Sequence, residues 1–161
     1  AADGYVPFVP NEFGRAVRKD TVTYNSNKAT LFRWREDFQN DFAARMDWCI
    51  RPYGDANHPP VPKVAGSAII TVRSGQGFAL DAGGTSDPDG DNMSYLWFQY
   101  PEAGSYKKVI PFDQAENLYR IAYIKAPQVS KTETAHFILK VTDKGNPPLT
   151  RYIRVIVNIL P

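Results

Sequence analysis

Three carboxylates, Asp87, Asp89 and Asp91, stand at alternate positions in SDPDGDN. That spacing lets hard oxygen ligands converge on one cation, as they do where many calcium loops begin. The loop is not an EF-hand. Asn92 stands where that loop needs glycine for its sharp turn, and Phe98 stands where it needs a bidentate glutamate. The plainer reading, an Asx-rich turn shaped by Pro88 and Gly90, takes precedence over a Ca2+ site. Asp143, in VTDKGNPPL, either lends a further oxygen to such a site or starts a turn. His58 and His136 have no Cys, Asp or Glu at metal-ligand spacing, so zinc has no support.

Nothing in the chain reads as catalytic. There is no G-x-S-x-G, no surrounding motif that would activate the single cysteine, Cys49, and no Gly-rich phosphate loop. A pair of acids for glycoside cleavage is disfavoured because the acids sit mainly in turns. Aromatic residues reach 13%, more than one small core needs. Phe98, Tyr100, Tyr106 and Tyr152 are therefore candidates for a platform on which sugar rings stack, with Glu102, Lys107 and Arg154 to meet ring hydroxyls. Packing against another domain uses the same residue types and has equal standing. The net charge of +2 is spread along the chain, which argues against a nucleic-acid partner. No apolar run is long enough to span a membrane. One cysteine excludes an internal disulfide. A start at AADG, without a basic-then-apolar leader, suits a mature or excised polypeptide.

The elements that must position these residues divide at a proline cluster. Residues 1–26 are irregular. Leu31, Trp34, Phe38, Phe42, Met46 and Cys49 then recur every three or four residues, which predicts one long amphipathic helix over about 27–48. Ser26 or Asn27 serves as its cap, and Pro52 ends it. Arg33, Arg35, Glu36, Asp37, Asn40, Arg45 and Asp47 lie on the other side. Residues 54–64, GDANHPPVPKV, read as a linker, so the chain divides into 1–59 and 60–161. Beyond it AIITV, GFALDA, SYLWFQY, LYRIAYI, HFILKVT and RYIRVIVNIL are strand-like, with turn clusters between them. The expected fold is mainly β: an immunoglobulin-like antiparallel β-sandwich preceded by the helix.

Alternation in SYLWFQY places Trp97 inward, with Phe137, Leu139, Val141, Ile153, Val155 and Val157 as neighbours. Leu96, Phe98, Tyr100, Ile138, Tyr152 and Ile156 then share an outer face too apolar for water. The Trp34, Phe38 and Phe42 stripe of the helix is the expected cover, ahead of a polysaccharide or another domain.

EFGRAVRKD, ATLFRWREDFQNDFAARMDWCI, ANHPPV, LDAGGTSDPDGDNMSYLWFQYPEAGSY and VTDKGNPPLTRYIRVIVNI occur in that order. This run resembles the C-terminal region of bacterial "cellulose-binding" proteins that pair a nucleoside-hydrolase-like domain with an immunoglobulin-like one. LDAGGTSDPDGD and VTDKGNPPL are more loosely similar to polycystic-kidney-disease-type and cadherin-like modules. The resemblance implies a secreted or periplasmic protein and a non-catalytic accessory role: binding carbohydrate, or steadying an attached hydrolase-like domain. The alternative is the C-terminal part of a nucleoside-hydrolase-like enzyme. Asn40-Asp41-Phe42-Ala43 resembles the acid-bearing helix start that completes the calcium site of nucleoside hydrolases, with Asn40 in place of the usual His. The resemblance thus implies a role for Asp41, with Arg45 one turn on, at a preceding domain.

Overall fold

The structure, a computed structural model, describes residues 34–113 and 119–161. It contains helix α1 (Arg35–Trp48), a 3-10 turn (Tyr53–Asp55) and six strands. The strands are β1 (Ile69–Arg73), β2 (Gly77–Asp81), β3 (Met93–Gln99), β4 (Ile121–Lys125), β5 (Glu133–Asp143) and β6 (Thr150–Leu160). One sheet has the order β1-β6-β5-β3, and β2 pairs with β4 in a second. The fold is therefore mainly β with a single helix among the described residues.

The expectation of purely antiparallel sheets is corrected at one edge. β1 runs parallel to β6, with Ile69 opposite Ile156 and Arg73 opposite Leu160. Parallel neighbours need a long crossover, and the four strands between β1 and β6 supply it.

Period-two alternation sets the core. Along β5, Ala135, Phe137, Leu139 and Val141 are buried, and along β6 Val155, Val157 and Ile159 are buried. Trp97 pairs with Leu139 across β3 and β5 and is fully buried; its indole N–H donates to the Arg120 carbonyl. Burying this ring contributes on the order of 2–3 kcal/mol. Leu80, Ala122 and Ile124 of the second sheet join the same core, and Phe78 and Phe112 meet Phe137 edge-on. Gln99, also fully buried, donates to the Lys108 carbonyl and accepts from the Ile110 N–H, which anchors the loop leaving β3.

Helix α1 begins at Arg35 after Trp34; the expected residues 27–33, Leu31 among them, lie outside the described residues. Its orientation corrects the expected covering stripe. Phe38, Phe42 and Met46 are 49%, 63% and 48% exposed, whereas Ala44 is buried and Trp34 and Trp48 are half-buried. The sheet-facing positions include Asp37 and Asp41, each one residue before a phenylalanine, so the docked face is turned about 100° from the apolar stripe.

The reason lies in the sheet. Lys140 and Tyr152 are cross-strand partners on β5 and β6, so both side chains emerge on one face. They converge on Asp37: Lys140 Nζ donates at 2.9 and 3.0 Å, and the Tyr152 hydroxyl donates to the same carboxylate. Burial first, then the Asp37 hydrogen bond and charge, push the Tyr152 phenol well above its usual pKa, which keeps it a donor. Together with Arg151 on Asp41 and the Trp48 indole on the Asn57 carbonyl, these donors hold the helix in this rotation. Trp34 of the expected stripe does reach the outer face, 5.0 Å from Tyr152 and 6.3 Å from Phe98 by ring centroids.

Candidate functional site

The linker expected at 54–64 is a built corner rather than a free spacer. Trp48 at the end of α1 donates its indole N–H to the Asn57 carbonyl at 2.8 Å. The Asn57 amide donates to both Asp143 carboxylate oxygens and, at 2.8 Å, to the Pro147 carbonyl. His58 stacks with Tyr53 and Trp48 at centroid distances of 3.7 and 5.7 Å. Its backbone N–H and Nδ1 both meet Asp89. Asn57 and His58 thus tie the helix end to the β5–β6 turn and to the acidic loop. Their signal in the sequence was ANHPPV: prolines disfavour helical geometry in the residue before them, which holds that segment extended against a neighbour.

The acidic loop brings one carboxylate oxygen each from Asp87, Asp89 and Asp91 within 4.8 Å of one another. Asp87 Oδ1 accepts the backbone N–H groups of Asp89 and Asp91, which is the Asx turn read from the sequence. Its Oδ2 and Asn57 Oδ1 are buried without a hydrogen-bond partner among the described residues. Desolvation first, then the charges of Asp87, Asp143 and Asp89, raise the pKa of Asp91. An all-oxygen set in a field that disfavours its own negative charge fits a hard cation such as Ca2+. Asp143 is placed differently. It is fully buried, and its carboxylate accepts from Asn57, Gly145 N–H and Leu149 N–H, so it starts the turn and adds charge rather than offering an open oxygen.

The four aromatic candidates do not form one platform. Phe98 is 3% exposed and presents no ring face to solvent, and Tyr106 packs on the core. Tyr100 and Tyr152 do come together: with Trp34 and Ile138 they line an almost wholly apolar pocket of about 360 Å3. Trp34 was read as part of the covering stripe, not as a ligand contact. Lys107 is engaged with the carbonyls of Pro101 and Glu102, while Arg154 lies exposed opposite Ile138.

Asp41 is committed within the chain. Its oxygens meet Arg45 Nε and an Arg151 guanidinium nitrogen, both at 2.8 Å. The Arg45 hydrogen bond foremost, then Arg151, hold its carboxyl below the usual aspartate range against the opposing effect of burial. To serve a metal in another domain it would have to release both partners. Cys49 is exposed and its thiol donates to the Arg45 carbonyl. No described helix is long and apolar enough to cross a membrane.

Fold and site together define a mainly β domain that carries a docked helix, an aromatic pocket at one end of it and an acidic loop at the other. The chain belongs to the family of the C-terminal domain of the cellulose-binding protein Sde0182, which it matches over residues 77–159. It is similar to a nucleoside hydrolase-related hypothetical protein from Saccharophagus degradans associated with carbohydrate metabolism, with 35% identity and a TM-score of 0.76. That likeness covers 88% of this chain and 35% of the other, so the chain spans about a third of that protein. Weaker likenesses are to a 2,6-sialyltransferase from Photobacterium sp. JT-ISH-224 and to the PKD domain of the KIAA 1837 protein. The sialyltransferase gives 13% identity and a TM-score of 0.42 over 57% of this chain and 17% of that one. The PKD domain gives 20% and 0.42 over 62% and 89%. No curated protein matches the chain.

Proposed function

We propose that the chain is a non-catalytic accessory domain of a secreted or periplasmic carbohydrate-related protein. It holds a polysaccharide such as cellulose at the Trp34–Tyr100–Tyr152 pocket and steadies a nucleoside-hydrolase-related domain to which it is attached. In this reading the two sheets are the layers of an immunoglobulin-like sandwich. The observation that carries it is the pocket, whose rings line an apolar space of about 360 Å3; such rings bury the flat apolar faces of sugars. Membership of a cellulose-binding protein's family supports the choice of ligand class.

Retention on crystalline cellulose and a glycan array test it. Removing one ring contact worth about 1.4 kcal/mol weakens binding about tenfold, so Tyr100→Ala is expected to lose retention at that scale while its melting temperature stays within a few degrees. Failure of the wild type to bind any glycan ends the carbohydrate reading.

The similarity to a nucleoside hydrolase-related protein favours a second reading, in which this is the C-terminal part of a nucleoside-hydrolase-like enzyme. Under it the intact polypeptide cleaves a ribosyl or glycosyl bond and Asp41→Ala slows it. An unchanged rate removes Asp41 from that role. Asp87, Asp89 and Asp91 are proposed to hold a calcium ion, a reading supported by their converging oxygens. Calorimetric titration that shows no heat for the wild type and no difference for Asp87→Asn rejects it.

A further inference from the structure

The outward face of α1 is more apolar than the face that docks. Phe38, Phe42, Met46 and Ile50 follow one another at four-residue steps and are 49%, 63%, 48% and 80% exposed. The stripe continues at Tyr53, 69% exposed in the 3-10 turn. From Phe38 to Met46 it extends about 12 Å at the helical rise. Rolling the helix cannot hide it. Asp37 is tied to Lys140 and Tyr152, Asp41 to Arg151, and Trp48 to Asn57, so three attachments along α1 fix its rotation. An exposed apolar row of this length on a rotationally fixed helix marks an interaction surface. Its residues alternate with charged ones, Arg45 beside Phe42 among them, as at the rim of an interface.

The occupant follows from the size of the related protein. The matched 88% of this chain exceeds the part from residue 77 onward, so the correspondence reaches back into the segment that carries α1. It accounts for 35% of the S. degradans chain, which leaves most of that nucleoside hydrolase-related polypeptide outside the domain. The family is that of a C-terminal domain, so the remaining polypeptide precedes it and reaches this fold through the segment leading into Trp34. A tethered domain arriving there meets the stripe at high effective concentration, and modest apolar contact suffices to dock it.

We infer that the Phe38–Phe42–Met46 face of α1, with Ile50 in the turn after it, is the seat of the preceding nucleoside-hydrolase-related domain. The inference rests on the proposal that such a domain is attached. Methionine oxidation by dilute peroxide reads it directly, because the chain has two methionines, Met46 on the stripe and half-buried Met93 on β3 as internal control.

Met46 is expected to oxidise at least tenfold more slowly in the intact polypeptide than in the 161-residue chain, with Met93 changed little. Phe42→Lys is expected to return Met46 in the intact polypeptide to the isolated rate without lowering the melting temperature of the isolated chain. Equal rates in the two forms overturn the inference while leaving an attached domain in place. Protection already present in the isolated chain also overturns it: if independent of concentration it assigns the face to residues 1–33, and if concentration-dependent to a second copy. An intact mass with no additional domain overturns both the inference and the proposal beneath it.

Discussion

Replacing Asp37 by alanine tests why the helix sits as it does. The carboxylate accepts from the Lys140 ammonium and the Tyr152 hydroxyl, and hydrogen bonds to a charged group contribute about 1.5–3 kcal/mol each, roughly 3–6 kcal/mol gross. The Asp37 side chain is 14% exposed, but that of Lys140 is 30% exposed, so water recovers part of the ammonium's solvation. Discounting for that, the expected loss is about 2–3 kcal/mol. Asp37→Asn keeps an acceptor for Tyr152 and loses the charge, so it is expected to cost about half as much. Urea denaturation gives the free energy. Tryptophan fluorescence locates the change, since Trp34 and Trp48 report on the helix and Trp97 on the core. If Asp37→Ala lowers stability by less than about 0.5 kcal/mol, the range of ordinary surface substitutions, the carboxylate does not set the helix orientation and the apolar stripe needs another explanation.

A Cβ at Gly145 would overlap the Asn57 amide group. Gly145→Ala is therefore expected to cost about 1–3 kcal/mol by expelling that amide, with little added by Asn57→Ala in the same chain; additive costs refute the shared cause. Trp97→Ala is expected to cost about 3–5 kcal/mol, read from urea midpoints. Desolvation, then the charges of Arg154 and Lys107, lower the pKa of His136. Its contribution is thus complete above the unfolded value of about 6.5 and is lost as pH falls toward the lower folded value. Urea midpoints at pH 7.5, 6.5 and 5.5 are expected to fall less steeply for His136→Gln than for the wild type, and an equal slope refutes this.

Much of the architecture was legible because strands have a period of two. Leu139 and Val155 alternate with polar or half-buried neighbours, while Trp97 is followed by the buried Phe98 and Gln99, so the period is cleaner on β5 and β6 than on β3. The parallel β1–β6 edge was not legible, since AIITV reads the same in either direction. The helix was readable as an element but not in its rotation. Phe38 and Phe42 dominate any count of hydrophobic spacing, while the donors that decide the docked face, Lys140 and Tyr152, lie a hundred residues away in the sequence. Tyr100 and Tyr152 meet because β3 and β6 flank β5; Phe98 shares their face by parity, yet Trp34 lies over it. Composition cannot separate those cases, because aromatic residues serve core, cover and pocket alike.

The two ends of α1 carry different attachments. At its C-terminal end Trp48, Asn57, His58, Asp89 and Asp143 form one continuous set of contacts, so a cation at the acidic loop acts on the helix end and on the β5–β6 turn together. At its N-terminal end lies the Trp34 pocket, about 21 Å away for the 14 residues of the helix at 1.5 Å each. The Asp37 attachment stands between them, fixed to β5 and β6 independently of the corner. Asp37 and Asp41 thus hold the helix to β5 and β6 on the way from the corner to the pocket, and a shift at the corner is resisted there. Saturating calcium should raise the melting temperature, by relieving repulsion among Asp87, Asp89, Asp91 and Asp143, and leave glycan affinity unchanged within twofold. A calcium-dependent change in affinity larger than that would show that the helix transmits a shift past its Asp37 and Asp41 attachments.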